Sequence, residues 1–206
     1  MLGGREVLLI SCDLSSLVVD SLCKRAAEEN AAVACFYFDS TAQKDQSPTA
    51  ILGSVLKQIV SGLEVVPERI VEAYEEQVRF IGGRRLAFSE IMGNLRTILT
   101  SRRTYICLDG LDECRARDRV ELLDLLNDIL RGSPDVRIFL TGRPHIRVGV
   151  KKHLAGRAVA RSITPTENDI VIFLRTKLKE DTMPEAMDES LEEEIIRVIP
   201  EAVSKT

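Results

Sequence analysis

The run TYICLDGLDEC, residues 104–114, restricts this chain more than any other stretch. Thr104 is followed by four apolar or aromatic residues, Tyr105 to Leu108, with no polar break. The run is too short for a helix and apolar on both faces of a strand. A strand of that kind is stable when both its faces are covered, as in a parallel sheet between layers of helices. It then ends in Asp109, Asp112 and Glu113. Carboxylates are therefore delivered to the carboxyl end of a buried strand, where open α/β sheets bind their ligands.

The rest of the chain alternates in the same way. EVLLI (6–10), AAVACFYFD (31–39), DVRIFLTGRP (135–144) and RAVARSI (157–163) read as further strands. Between them, helical spacing places Leu14, Leu17, Val18 and Leu22 on one face, with Asp13 or Ser15 as cap and Asn30 at the far end. Pro48 or Thr49 opens a helix with Ile51, Leu52, Val55, Leu56 and Ile59 inward. Pro67 opens another with Ile70, Val71, Tyr74 and Val78 as its apolar face, and Gly82–Gly83 breaks the chain after it. Ser89 to about Thr100, RDRVELLDLLNDILRG (117–132) and ENDIVIFLRTKLKED (167–181) complete the set, with one acidic helix after Pro184.

The expected fold is α/β: a three-layer, mostly parallel, doubly wound sheet flanked by helices, with a short helical C-terminal extension. The expected core is 1–164 and the extension 165–206. Composition agrees with this class. Of the 206 residues, 45% are hydrophobic and only 4% aromatic, with no tryptophan, so the core must be built from Leu, Ile and Val.

Net charge is −4, which gives no general attraction to nucleic acid or membrane. Basic residues concentrate at 131–161, where Asp135 is the one acid, and MDESLEEE lies in the acidic tail; solvated helix faces account for both. The five cysteines have no CxxC spacing, so neither a zinc site nor a disulfide framework is expected. With no basic-then-apolar leader and no apolar run near about 18 residues, the chain reads as soluble and cytoplasmic. Partners are expected to be a nucleotide and other proteins or further copies of the chain.

Three strands send polar ends to one rim: Asp39, Asp109 and the TGR of 141–143. Asp109 is placed to hold Mg²⁺, through water, with phosphate oxygens completing the octahedron. Asp112 is placed to take a proton from an attacking water, with Glu113 supporting it or facing solvent. Arg143 is placed to touch a terminal phosphate, and Thr141 to bond a phosphate or water. The alternative for DGLDE is a tight turn leading into a capped helix, and for Arg143 a solvent-facing loop. His145 and His153 have no partners at ligand spacing, no Gly-x-Ser-x-Gly elbow exists, and the basic run lacks interleaved aromatics.

Taken together, ENAAVACFYFDSTAQKDQSPTAILGSVLKQI, TYICLDGLDEC, VRIFLTGRPH and ENDIVIFLRTKL, in that order, resemble the NACHT domain of fungal STAND-class P-loop NTPases, close to the nephrocystin-3-like N-terminal segment. The resemblance runs from about Leu14 to near the C-terminus. It implies that Asp109 is the Walker B magnesium ligand, Asp112 the acid beside the hydrolytic water and Arg143 the sensor arginine. It also implies ATP or GTP with Mg²⁺ as cofactors, and a role as a nucleotide-controlled signalling switch. One family motif is missing. The Gly-x-x-x-x-Gly-Lys-Ser/Thr phosphate loop should end on Ile10, Ser11 and Cys12, and none of these fits. Asp13 adds a negative charge beside that place. The chain is thus expected to be impaired in nucleotide binding, either as a non-catalytic interaction or oligomerisation module, or because its start is miswritten. Ending at VSKT, before the winged-helix and repeat regions usual in such proteins, it is expected to be a fragment of a longer protein.

Overall fold

The computed structural model describes residues 7–10, 15–79, 86–154, 156–161, 166–179 and 188–203. It divides into two compact units, residues 1–162 and 163–206.

Among the described residues, the larger unit contains five strands: β1 (Val7–Ile10), β2 (Ala32–Tyr37), β3 (Thr104–Asp109), β4 (Val136–Thr141) and β5 (Ala158–Ala160). They form one sheet in the order β2-β3-β4-β1-β5, with every neighbouring pair parallel. Six helices connect them: α1 (Ser15–Glu29), α2 (Pro48–Ser61), α3 (Glu68–Arg79), α4 (Phe88–Leu99), α5 (Ala116–Gly132) and α6 (Arg147–His153). The P-loop NTPase-like three-layer sheet expected from the sequence is the fold observed.

Strand order dictates the layers. The step from β1 to β2 runs one way along the sheet, and the steps β2 to β3, β3 to β4 and β4 to β5 run the other way. Right-handed crossovers then place α1 on one face and the remaining helices on the opposite face. Packing follows this division. Val18, Val19 and Leu22 of α1 cover Cys107 and Phe139. On the other side, Ile51, Leu52, Val55 and Ile59 of α2, Leu95 and Leu99 of α4, and Leu122, Leu126 and Leu130 of α5 close over Ile106, Leu108, Ile138 and Leu140. Each of these side chains buries apolar area worth about 1.5–3 kcal/mol.

The expected inward face of α2 is fully buried. That of α3 is not. Val71 is 39% exposed and Tyr74 and Val78 are each 66% exposed. Helical spacing correctly indicates the helix, but α2 and α4 already cover the sheet there, and α3 is left outside the layer. The pair Gly82–Gly83 and the cap candidate Asp13 lie outside the described residues, as does the side chain of Ser15. Asn30 does end α1, in the left-handed region at φ +49°. The basic segment 143–161 holds a helix the sequence reading passed over. In α6, Val150 and Leu154 are buried while Arg147, Lys151 and Lys152 face solvent.

β2 is an edge strand whose outer side is closed by two glutamines. Gln58 of α2 brackets Cys35, accepting from its N–H (2.9 Å) and donating to its C=O (2.7 Å). Gln46 treats Asp39 the same way, at 3.3 and 3.1 Å. Each amide stands in for a neighbouring strand and keeps that backbone from pairing with another chain. At the opposite end of the sheet, Arg102 donates to the carbonyls of Asn30, Ala31 and Gly62 and to Asn30 Oδ1, at 2.8–3.1 Å.

The smaller unit consists of α7 (Glu167–Lys179) and α8 (Glu189–Val203), packed on each other. Thr166 and Asp169 cap α7 reciprocally: Thr166 N–H donates to Asp169 Oδ2 (2.8 Å), and Asp169 N–H to Thr166 Oγ1 (3.2 Å). No helix among the described residues is long and apolar enough to cross a membrane.

Candidate functional site

The connections out of β1 and β4 leave in opposite directions, so a crevice opens above the carboxyl ends of these adjacent strands. Backbone register makes Ile10, the last residue of β1, the neighbour of Thr141, the last residue of β4. Asp109 ends β3 on the other side of β4.

Thr141 joins two of these strand ends. Its hydroxyl donates to Asp109 Oδ1 and accepts from the Gly110 N–H at 2.9 Å. Thr141 is fully buried and Asp109 only partly so. Gly110 turns the chain at φ +73°, a conformation an L side chain strains to adopt, and leads into a single 3₁₀ turn at Leu111–Glu113.

That turn brings Asp112 under Gly142 and Arg143. The Arg143 N–H donates to Asp112 Oδ1 (3.1 Å), and its Nε lies 3.4 Å from Asp112 Oδ2. The carboxylate is 7% exposed and the guanidinium side chain 75%. Asp112 is therefore anchored by the backbone, while most of the Arg143 side chain is exposed to solvent. A Cβ at Gly142 would lie 2.6 Å from Ile146 Cδ1 and 3.2 Å from Asp112 Oδ1. A side chain here would have to displace the tip of Ile146 and crowd the Asp112 carboxylate.

Glu113 points the other way. Its Oε2 accepts from the Ser40 N–H (2.9 Å), and its backbone C=O accepts from Gln43 Nε2 (2.6 Å). It ties the loop after β2 to the turn after β3. Asp39 is on the same rim, but its carboxylate closes on the N–H and hydroxyl of Thr41. Those bonds, the hydroxyl's first, hold its pKa below the usual aspartate value. Of the sequence-derived candidates, Asp109 with Thr141 and Asp112 with Arg143 are brought together in two linked pairs. Glu113 and Asp39 are committed to the adjoining loop. Ser40, Gln43 and Gln46 were not among the sequence candidates, because a side-chain amide bonding a distant backbone leaves no periodic signal.

The amino-terminal side of the crevice is chemically different. β1 ends at Ile10 and α1 begins at Ser15, so the expected phosphate-loop place at Ile10–Cys12 falls on the β1 end and on residues outside the described set. The sequence there has no glycine between Gly4 and Gly53 and no lysine before Lys24. Lys24 is on α1 and pairs with Asp20 at 2.7 Å. Among the described residues, no group of three His, Cys, Asp or Glu side chains is arranged to hold a metal by itself. One open carboxylate beside a hydroxyl suits a Mg²⁺ ion bound mainly through water and phosphate oxygens.

A family model described as Nephrocystin 3, N-terminal matches residues 13–143, which is 131 of the 206 residues. The chain belongs to the nephrocystin 3 N-terminal family. The match spans β2, β3, β4 and the Asp109, Asp112, Thr141 and Arg143 positions. No curated protein matches this nephrocystin-3-type chain in sequence. Among solved structures, it is similar to the Aeropyrum pernix ORC1 protein in complex with DNA, at 17% identity and TM-score 0.53. That alignment covers 98% of this chain and 55% of the other. It is also similar to a chain of Drosophila ORC bound to AT-rich DNA and Cdc6, at 14% identity and TM-score 0.52, covering 85% and 28%. The nephrocystin-3-type chain thus spans about half the length of the first and under a third of the second. At these identities the likeness shows the fold alone, a parallel sheet flanked by helices.

Proposed function

We propose that this chain is a NACHT-type module built on the plan of a nucleotide-controlled signalling switch, with the metal- and water-facing half of the site kept and the phosphate grip impaired. The pairing of Asp109 with Thr141 and of Asp112 with Arg143, on adjacent strand ends at the crevice, carries this reading. Asp109 would hold the Mg²⁺ of a Mg-nucleotide through water, with Thr141 fixing its orientation. Asp112 would face the water opposite the terminal phosphate. Arg143 would leave Asp112 for that phosphate when one is present, which couples occupancy to the loop after β4. Bound Mg²⁺ would supply charge neutralisation of the phosphate oxygens.

The residues present fit the metal and do not fit the phosphates. Backbone N–H groups freed by glycine and a lysine ammonium are what hold a triphosphate at a strand–helix junction, and Ile10, Ser11 and Cys12 offer neither. The same observation favours a second reading, a module that works only through protein contacts.

Thermal melting with Mg-ATP and Mg-GTP separates these. Stabilisation grows as RT ln(1 + [L]/Kd). The expected result is a small, unsaturated rise confined to the millimolar range, dependent on Mg²⁺ and absent in Asp109→Ala. Saturation at micromolar nucleotide would contradict the impaired grip. A complete lack of response at millimolar Mg-nucleotide would leave the purely interacting module.

A further inference from the structure

The face of the sheet under α1 gathers thiols that the rim does not use. Cys35 of β2 and Cys107 of β3 are partners in the parallel register, so they project from the same face. They pack on each other beneath Val18, Val19 and Leu22. Neighbouring strands lie about 4.8 Å apart, and a disulfide spans Cα atoms about 4.4–6.8 Å apart. A register pair of cysteines on one face therefore meets the distance requirement without backbone movement.

Two further features distinguish this pair from buried cysteines that only fill space. The backbone of Cys35 is clamped on its N–H and its C=O by Gln58, which fixes where the thiol sits. The neighbouring Cys107 thiol holds the pKa of Cys35 below its ordinary value, and Cys35 together with burial pushes that of Cys107 up. Cys35 is half-buried and Cys107 is 3% exposed, so a reagent meets Cys35 first. Cys23 of α1 is exposed close by, with its own pKa raised chiefly by partial desolvation and then by Cys35.

We propose that Cys35 and Cys107 form a reversible redox modification site, closed to a disulfide by a low-molecular-weight disulfide oxidant. The Cys35 thiolate, its proton lost to solvent, attacks one sulfur of the oxidant. The oxidant's S–S bond breaks and its other half leaves as a thiolate that takes up a proton. Cys35 now carries a mixed disulfide. Cys107, losing its proton, attacks the Cys35 sulfur and expels the second half of the oxidant, which is protonated in turn. Two protein thiols are oxidised and one small disulfide is reduced to two thiols. The new bond ties the edge strand to β3 two residues before Asp109 and closes a loop spanning 36–106. That loop restricts the unfolded chain, so the oxidised form melts at a higher temperature.

The test uses the full chain treated with oxidised glutathione, then alkylated, digested without reduction and analysed by mass spectrometry. A peptide pair joined through Cys35 and Cys107, lighter by two hydrogens than its parts, is expected. Dithiothreitol should abolish it, and the oxidised sample should melt higher than the reduced one. Cys23→Ser should leave the yield of the link unchanged. Glutathione on Cys23 alone, a link from Cys35 to Cys23 or Cys12, or alkylation of both Cys35 and Cys107 after oxidant would each overturn the proposal.

Discussion

Thr141 illustrates how much one side chain decides at this rim. Its hydroxyl is the acceptor for Gly110 N–H and the donor to Asp109. Valine has nearly the same shape and can do neither. Thr141→Val should cost about 2–3 kcal/mol, because it strands a buried N–H and removes a bond to a carboxylate. Urea melts of the two proteins measure this directly, and an unchanged midpoint would mean that Thr141 is a passive strand terminus. The sequence reading placed Asp109, Asp112, Thr141 and Arg143 on one edge because strand direction alone puts them there. It could not distinguish Asp112, anchored under Gly142, from Glu113, spent on Ser40, because adjacent residues on a 3₁₀ turn point in different directions. The sequence also hides why Gly142 is glycine, since close approach to Ile146 and Asp112 is a property of the folded chain.

Helices and strands of this domain were legible where apolar spacing is long and unbroken. β3 stands where an uninterrupted apolar run ends in polar residues, β4 where Ile138–Leu140 does so after Arg137, and α2 where five apolar residues share a face. α6 escaped because seven residues with one buried position, Val150, carry too little period. For α3 the spacing gave the helix and its amphipathic face, but period carries no information about whether a partner covers that face. Ties between elements were invisible as well. Arg102 holds the α1–β2 turn and the end of α2 with four hydrogen bonds. Arg102→Ala should destabilise the unit by about 1–3 kcal/mol, since water can reach only part of what is lost; a chemical melt with no loss would remove Arg102 from this role. Nearby, Glu29 accepts from Arg25 and Arg103, and these bonds lower its pKa from 4.5 to about 2. A depressed carboxylate stabilises the folded state above its unfolded pKa and loses that contribution as pH falls. The contribution of Glu29 should therefore be present above pH 4.5 and disappear between pH 4.5 and about 2. Over that window Glu29→Gln should show a shallower fall in melting temperature than the unsubstituted protein. Parallel curves would contradict the assignment.

At the scale of the molecule, the described parallel strands change direction of connection beside β1 and β4, and the Asp109–Thr141 and Asp112–Arg143 pairs stand at the carboxyl ends of β3 and β4. The fold class was readable because the alternation of apolar runs and amphipathic helices allows few other arrangements. The absence of the phosphate-loop motif was readable too, because that motif depends on residue types at fixed spacing. The most direct measurement of this account is nucleotide binding after the Gly-Lys-Thr end of the missing motif is supplied as Ile10→Gly, Ser11→Lys and Cys12→Thr, with circular dichroism confirming an unchanged fold. If the crevice keeps a working metal side, the triple variant should bind Mg-ATP or Mg-GTP saturably and at least about tenfold more tightly than the original chain, a gain of about 1.4 kcal/mol, and Asp109→Ala in that background should remove the gain. Unchanged binding in the folded triple variant, or a gain indifferent to Asp109, would contradict it.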